Sequence, residues 1–89
     1  MERTIMIILV ASRTKNAAAV QGILTDWGCS IRTRLGLHDA GADTCSTNGL
    51  ITLELVGDPA RHKELEAKLS GLTGVSTRLV TLSVADELP

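Results

Sequence analysis

Thr4-Ile5-Met6-Ile7-Ile8-Leu9-Val10-Ala11 is the stretch on which the reading of this sequence turns. From Ile5 to Ala11 there is no polar residue, and three of the positions are isoleucine. The run is under half the length of a membrane span, and its β-branched content argues for a strand. A half-buried strand alternates polar and apolar residues, whereas one covered on both faces reads as continuous apolar sequence. Thr4–Ala11 is therefore expected to be a central strand with apolar cover above and below. The rest of the chain offers too little helix to cover both sides.

Working outward, Ser12 to Asn16 reads as a polar turn with two candidate N-caps, Thr14 and Asn16. Ala17 to Trp27 reads as a helix, because Val20, Ile23, Leu24 and Trp27 recur at three-and-four spacing. Gly28 is expected to stop it as a C′ glycine. Gly22, inside the helix, costs about 1 kcal/mol relative to alanine, and close packing against a sheet is the expected reason. Ser30 to Leu37 alternates: Ile31, Thr33, Leu35 and Leu37 point one way, and Arg32, Arg34 and Gly36 the other. That pattern predicts an edge strand with one buried face. His38 to Asn48 shows no periodicity and reads as a long turn-rich loop. Leu50 to Val56 is a third strand with Ile51, Leu53 and Leu55 on one face. Asp58-Pro59 announces a second helix, an N-cap followed by proline at the first helical position. His62, Leu65, Leu69 and Leu72 form its inner stripe, and Gly71 and Gly74 mark its end. Ser76 to Val84 is the last strand, and Ala85 to Pro89 a tail.

The order strand, helix, strand, strand, helix, strand, with right-handed crossovers, places the first and third strands in the middle of the sheet. The expected fold is α+β: a ferredoxin-like βαββαβ sandwich, with a four-stranded antiparallel sheet and both helices on one face. Its 89 residues make a single domain over 1–89. The other face of the sheet would then be bare and aliphatic, and a homodimer or higher homo-oligomer is the expected way to cover it.

Composition excludes several classes. Aliphatic residues must build the core, since the chain has one Trp and no Phe or Tyr. A net charge of −1 gives no electrostatic reason for a nucleic-acid partner, and the missing aromatics remove the stacking platforms of single-strand readers. No signal peptide or membrane span is visible. Cys29 and Cys45 form no disulfide framework, so a reducing cytoplasm is the simpler reading.

Arg32 and Arg34 offer forked donors suited to carboxylate or phosphate, and Glu54 is expected to pair with one of them across the strands. The turn after the first strand precedes a helix N-terminus, where exposed amides favour anions; Arg13 and Lys15 strengthen that, and an ordinary capped turn is the alternative. His38 and Cys45 are the candidates a metal site would use, with Asp39, Asp43 and His62 nearby in type. Their spacing matches no zinc pattern, so no metal is expected. No acid–base pair or activated nucleophile stands out. An acylphosphatase would need glycines in Ser12–Asn16, a heavy-metal carrier Cys-x-x-Cys there, and an RNA-recognition domain aromatics on its central strands. None is present, and an enzyme is the least favoured class.

Ile23-Leu24-Thr25-Asp26-Trp27-Gly28, Arg34-x-Gly36-Leu37, the aliphatic third strand and Leu72-x-Gly74-Val75-Ser76 together resemble a family of small ACT-like proteins. That family is identified with regulation of the iron-only hydrogenase system. The likeness covers Met6 to Leu82; the loop His38–Asn48 departs from it, being longer and more polar. The resemblance implies a ferredoxin-like ACT domain that binds a small effector where two domains meet, near the turn after the first strand. Arg13, Asn16, Arg34 and Gly36 are the ligand-binding residues it suggests. No cofactor is identified. A protein–protein interaction module without a ligand, or a metal-sensing domain as in related repressors, is the alternative.

Overall fold

β1 (Glu2–Val10) lies between β3 (Cys45–Leu55) and β4 (Val75–Ser83), antiparallel to both. β2 (Ile31–Ala40) pairs with the far side of β3, giving the order β2-β3-β1-β4. The structure, a computed structural model, describes residues 1–11, 13–40 and 45–85, with side chains described there except at 13–15, 37–40 and 45–48. α1 (Arg13–Asp26) follows β1, and α2 (Pro59–Ser70) joins β3 to β4. This is the ferredoxin-like arrangement that the order of apolar runs predicts.

The core lies between the helices and one face of the sheet. Met6, Ile8, Val10, Leu53 and Leu55 point down from the two central strands, and Val20, Leu24, Trp27, Leu65 and Leu69 meet them. Aromatic packing is confined to Trp27. Its indole N–H donates to the Arg61 carbonyl at 3.3 Å, and the Arg61 and Lys68 cations sit 5.0 and 5.5 Å from its ring centroid. Each such contact adds on the order of 0.5–1 kcal/mol at an exposed site and ties α1 to α2.

Several local expectations change. α1 starts at Arg13, so Thr14 and Asn16 lie within its first turn and are not its caps. The Asn16 amide instead donates back to the Ala11 carbonyl at 2.8 Å. Gly28 is not a left-handed cap; it opens a 3-10 turn, Gly28–Ser30, closed by Ser30 N–H on the Trp27 carbonyl at 2.9 Å. Left-handed backbone occurs at Gly57 (φ 90°) and Gly74 (φ 82°), on either side of α2. α2 itself begins as the sequence indicates, with Asp58 Oδ1 accepting from Ala60 N–H at 2.9 Å and Pro59 in the first turn. Leu72 falls beyond its end and packs on the core from there.

Most of the expected loop His38–Asn48 is strand. β2 and β3 stay paired as far as Ala40 and Cys45, whereas β1 stops at the Val10–Gly49 pair. The hairpin therefore runs on as a two-stranded ribbon. Main-chain ladder bonds hold such a ribbon, and it needs no apolar alternation, the signal by which strands are read from sequence.

Leu53 is fully buried at the centre of the core. Leu53→Ala should cost about 2–5 kcal/mol of unfolding free energy in urea titrations. Gly22 is exposed, and a Cβ there would meet nothing within 4 Å; the expected close approach to the sheet does not exist. Gly22→Ala should therefore raise stability, by up to about 1 kcal/mol in the same assay.

Candidate functional site

The face of the sheet away from the helices carries Ile5, Ile7 and Leu9 from β1, with Val80 paired to Ile5 and Leu50 to Leu9. Ile7, Leu9, Leu35 and Leu82 are 40, 52, 55 and 59% exposed, a contiguous aliphatic surface of the kind that marks an interaction face. The continuous apolar run in β1 thus has helices beneath it and, among the described residues, no cover above.

Arg34 does not lie on that bare face. It pairs with Leu53, a residue of the helix-side core, while Leu35 pairs with Thr52 on the bare side. The reason is a β-bulge: Ile31 pairs with Leu55 and Thr33 with Glu54, leaving Arg32 as the extra residue. Two residues of β2 then span one step of β3, so the alternation counted from Ile31 is reversed from Thr33 onward. Gly36, opposite Ile51, shares the helix-side face with Arg34.

The predicted ligand residues are not brought together. Asn16 is held at Ala11, one residue beyond the Val10 row, and Gly74 lies against it, with Ala11 N–H on the Gly74 carbonyl at 2.7 Å. Arg34 stands on the Met6 row, roughly 16 Å back along the strands and about 10 Å across two strand spacings. Arg13 is the first residue of α1, and its side chain lies outside the described residues. His38 and Cys45 fall in the hairpin ribbon, and their side chains are likewise outside the described residues. Among the described residues no three His, Cys, Asp or Glu side chains gather as metal ligands.

A cleft of about 230 Å³ opens at the opposite end of the sheet, between the start of β1, the end of β3 and the first turn of α2. Arg3, Arg32 and Glu54 line it, with Leu55, Val56, Pro59 and His62. Glu54 pairs with Arg3, and neither Arg32 nor Arg34 takes that place. The Arg3 Nε bonds Glu54 Oε2, and Nη2 donates to Oε1 at 2.6 Å. On the register, Arg3 and Glu54 are diagonal neighbours on adjacent central strands, since Glu54 sits opposite Ile5. The Arg3 hydrogen bonds hold the Glu54 carboxyl below the usual glutamate range, against the cost of partial burial; the charges of Arg3 and Arg32 add to the effect. The same contact raises Arg3 further.

His62 is buried at the back of this cleft, and its Nε2 lies 2.8 Å from the Val56 carbonyl. A carbonyl only accepts, so Nε2 is a nitrogen that carries a hydrogen and donates it. Arg32 has no hydrogen-bonded acceptor among the described residues. The sequence hides this group because its members come from β1, β2, β3 and α2. Arg3 precedes the apolar run and reads there as an ordinary flanking charge.

The chain is similar to the uncharacterized protein TM1266 of Thermotoga maritima: 26% identity over 93% of this chain and 100% of that one, TM-score 0.78. It is also similar to CPII, a nitrogen regulatory PII-like protein of Thiomonas intermedia K12 solved with ADP, AMP and bicarbonate. That likeness spans 99% of this chain and 98% of the other at 9% identity and TM-score 0.61. The ACT domain from the GTP pyrophosphokinase of Chlorobium tepidum matches at 19% identity over 99% and 92%, TM-score 0.57. The fold is thus the ferredoxin-like one shared by ACT and PII-like proteins. No family model matches the chain, and no curated protein matches it. No helix among the described residues is long and apolar enough to cross a membrane.

The Arg3–Glu54 pair has a pH signature. Because Glu54 titrates lower when folded than when unfolded, its contribution to stability is complete above the ordinary glutamate range. It is lost as pH falls through that range and then through the depressed folded value. Carboxyl-detected NMR titration should find Glu54 low in the parent chain and shifted upward in Arg3→Gln. Added salt should narrow the difference, because the Arg3 side chain is half exposed.

Proposed function

We propose that this chain is a non-catalytic regulatory domain that works as a homodimer or higher homo-oligomer and senses a small effector in the Arg3–Glu54–Arg32 cleft. The observation that carries the reading is the continuity of two features. Arg3 and Glu54 are members of the bare aliphatic face, and they also line the cleft at its end. A partner seated on that face would lie beside whatever the cleft holds, so binding and association share residues. The fold, common to an ACT domain and a nucleotide-bound PII-like protein, supports a ligand-sensing role. The resemblance of the Trp27-Gly28 and Arg34-x-Gly36 segments supports the iron-only hydrogenase system as the process regulated, and a cytoplasmic setting with it. In this reading Arg13 and Asn16, at the start of α1, and Arg34 and Gly36, on the helix-side face of β2, do not form the cleft.

The bare face by itself favours a second reading, an interaction module that docks a partner protein and binds no ligand. A thermal-shift screen against amino acids, nucleotides and divalent metals separates the two, since a ligand at 100 times its Kd adds about 2.7 kcal/mol. A shift with at least one compound supports the sensor, and no shift with any supports the module.

Association is tested by charge. Ile7 faces out from the bare side, and Met6 is fully buried under the helices. Ile7→Lys should leave a folded chain of smaller mass in light scattering, whereas Met6→Lys should unfold it. A parent chain that is monomeric at high micromolar concentration would contradict the oligomeric reading.

A further inference from the structure

We propose that the cleft takes a small monocarboxylate with a short aliphatic body, and that Arg32 is the residue that binds its carboxylate; this rests on the reading of the cleft as the effector site. The assignment follows from which charges are already used. Both oxygens of Glu54 are engaged by Arg3, through Nε and Nη2. Arg32 faces the same carboxylate closely enough to lower its pKa, yet makes no hydrogen bond to it. Its donors have no hydrogen-bonded acceptor among the described residues; with Glu2 also lining the cleft the formal charges of Arg3, Arg32, Glu2 and Glu54 cancel, so what the site offers an anion is the unused Arg32 fork. A planar guanidinium fork matches a planar carboxylate in two parallel hydrogen bonds.

The surroundings restrict the anion further. Glu2 also lines the cleft, where its Oε2 accepts from the Ser83 hydroxyl at 3.2 Å. With Glu2 and Glu54 both present, a dianion such as phosphate at neutral pH meets like charge on two sides, and a monoanion meets less. Leu55, Val56 and Pro59 supply the apolar part of the remaining wall, beside Thr4, Gly57 and His62, and can take a short alkyl group. The β-bulge explains why Arg32 is available: as the extra residue between Ile31 and Thr33, its side chain is free of the alternation that sends Arg34 to the other face.

The test is a ¹⁵N–¹H correlation titration of the full chain with sodium isovalerate, with inorganic phosphate and AMP as parallel probes. Saturable shifts clustered at the Arg32, Val56 and Gly57 amides with isovalerate, and none with the other two, are expected. Arg32→Gln and Arg32→Lys should each weaken isovalerate binding at least about tenfold, the lysine because it keeps the charge and loses the fork. Arg34→Gln, on the other face of the same strand, should leave it unchanged. Spectra of the free variants report that they are folded. Isovalerate binding unaltered in Arg32→Gln overturns the assignment. Phosphate or AMP shifting the cleft amides where isovalerate does not also overturns it, while leaving the cleft as an effector site. If no probe shifts those amides, the carboxylate assignment and the placement of the effector in the cleft fail together.

Discussion

Two helices can shield one face of a four-stranded sheet, and the central strand of this one is apolar on both. That mismatch governs the molecule. On the shielded side Met6, Ile8 and Val10 are buried against Leu24, Leu65 and Leu69, and each such side chain is worth roughly 1.5–3 kcal/mol when removed from water. On the other side the same strand holds Ile7 and Leu9 in contact with solvent. A small domain gains little from leaving such residues exposed. Such a face is the kind of surface that marks an interaction site.

The charged residues are arranged around this aliphatic face. Arg3 and Glu54 neutralise each other across two central strands, which keeps a carboxylate tolerable where its side chain is only 16% exposed. Arg78, paired with Ile7, places a further cation on the same surface. Taken with Arg32, the bare face has a positive margin around an apolar middle, a pattern that suits both a protein contact and an anion at its edge.

Much of the fold was legible because its signals are local. The run Ile5–Ala11, the Asp58-Pro59 helix start and the Leu53 stripe each report a periodicity or a cap within a few residues. What escaped depends on pairing between distant segments. Arg32 and Arg34 have the same residue type and alternate correctly, and only the register against β3 shows that a bulge separates them. From sequence Glu54 reads as a partner for β2, because the hairpin is the nearest contact along the chain, while the actual partner, Arg3, is 51 residues away. The extension of β2 and β3 through His38–Ala40 and Cys45–Asn48 is silent in the sequence for a different reason. A ribbon outside the layered core has no buried face to impose a hydrophobic rhythm.

The bulge also bears on how such a chain can change. With Arg32 removed, Ile31 would still face Leu55, Thr33 would still face Glu54, and every later pair of β2 would be untouched. Arg32 is thus a residue of that strand on which the ladder beside the layered core does not depend. A lineage could gain or lose it by a single-codon insertion or deletion without repacking the core. Related domains with this architecture can therefore differ at the cleft by one residue of length and agree everywhere else in the sheet, a difference that an ungapped comparison of their strands would conceal.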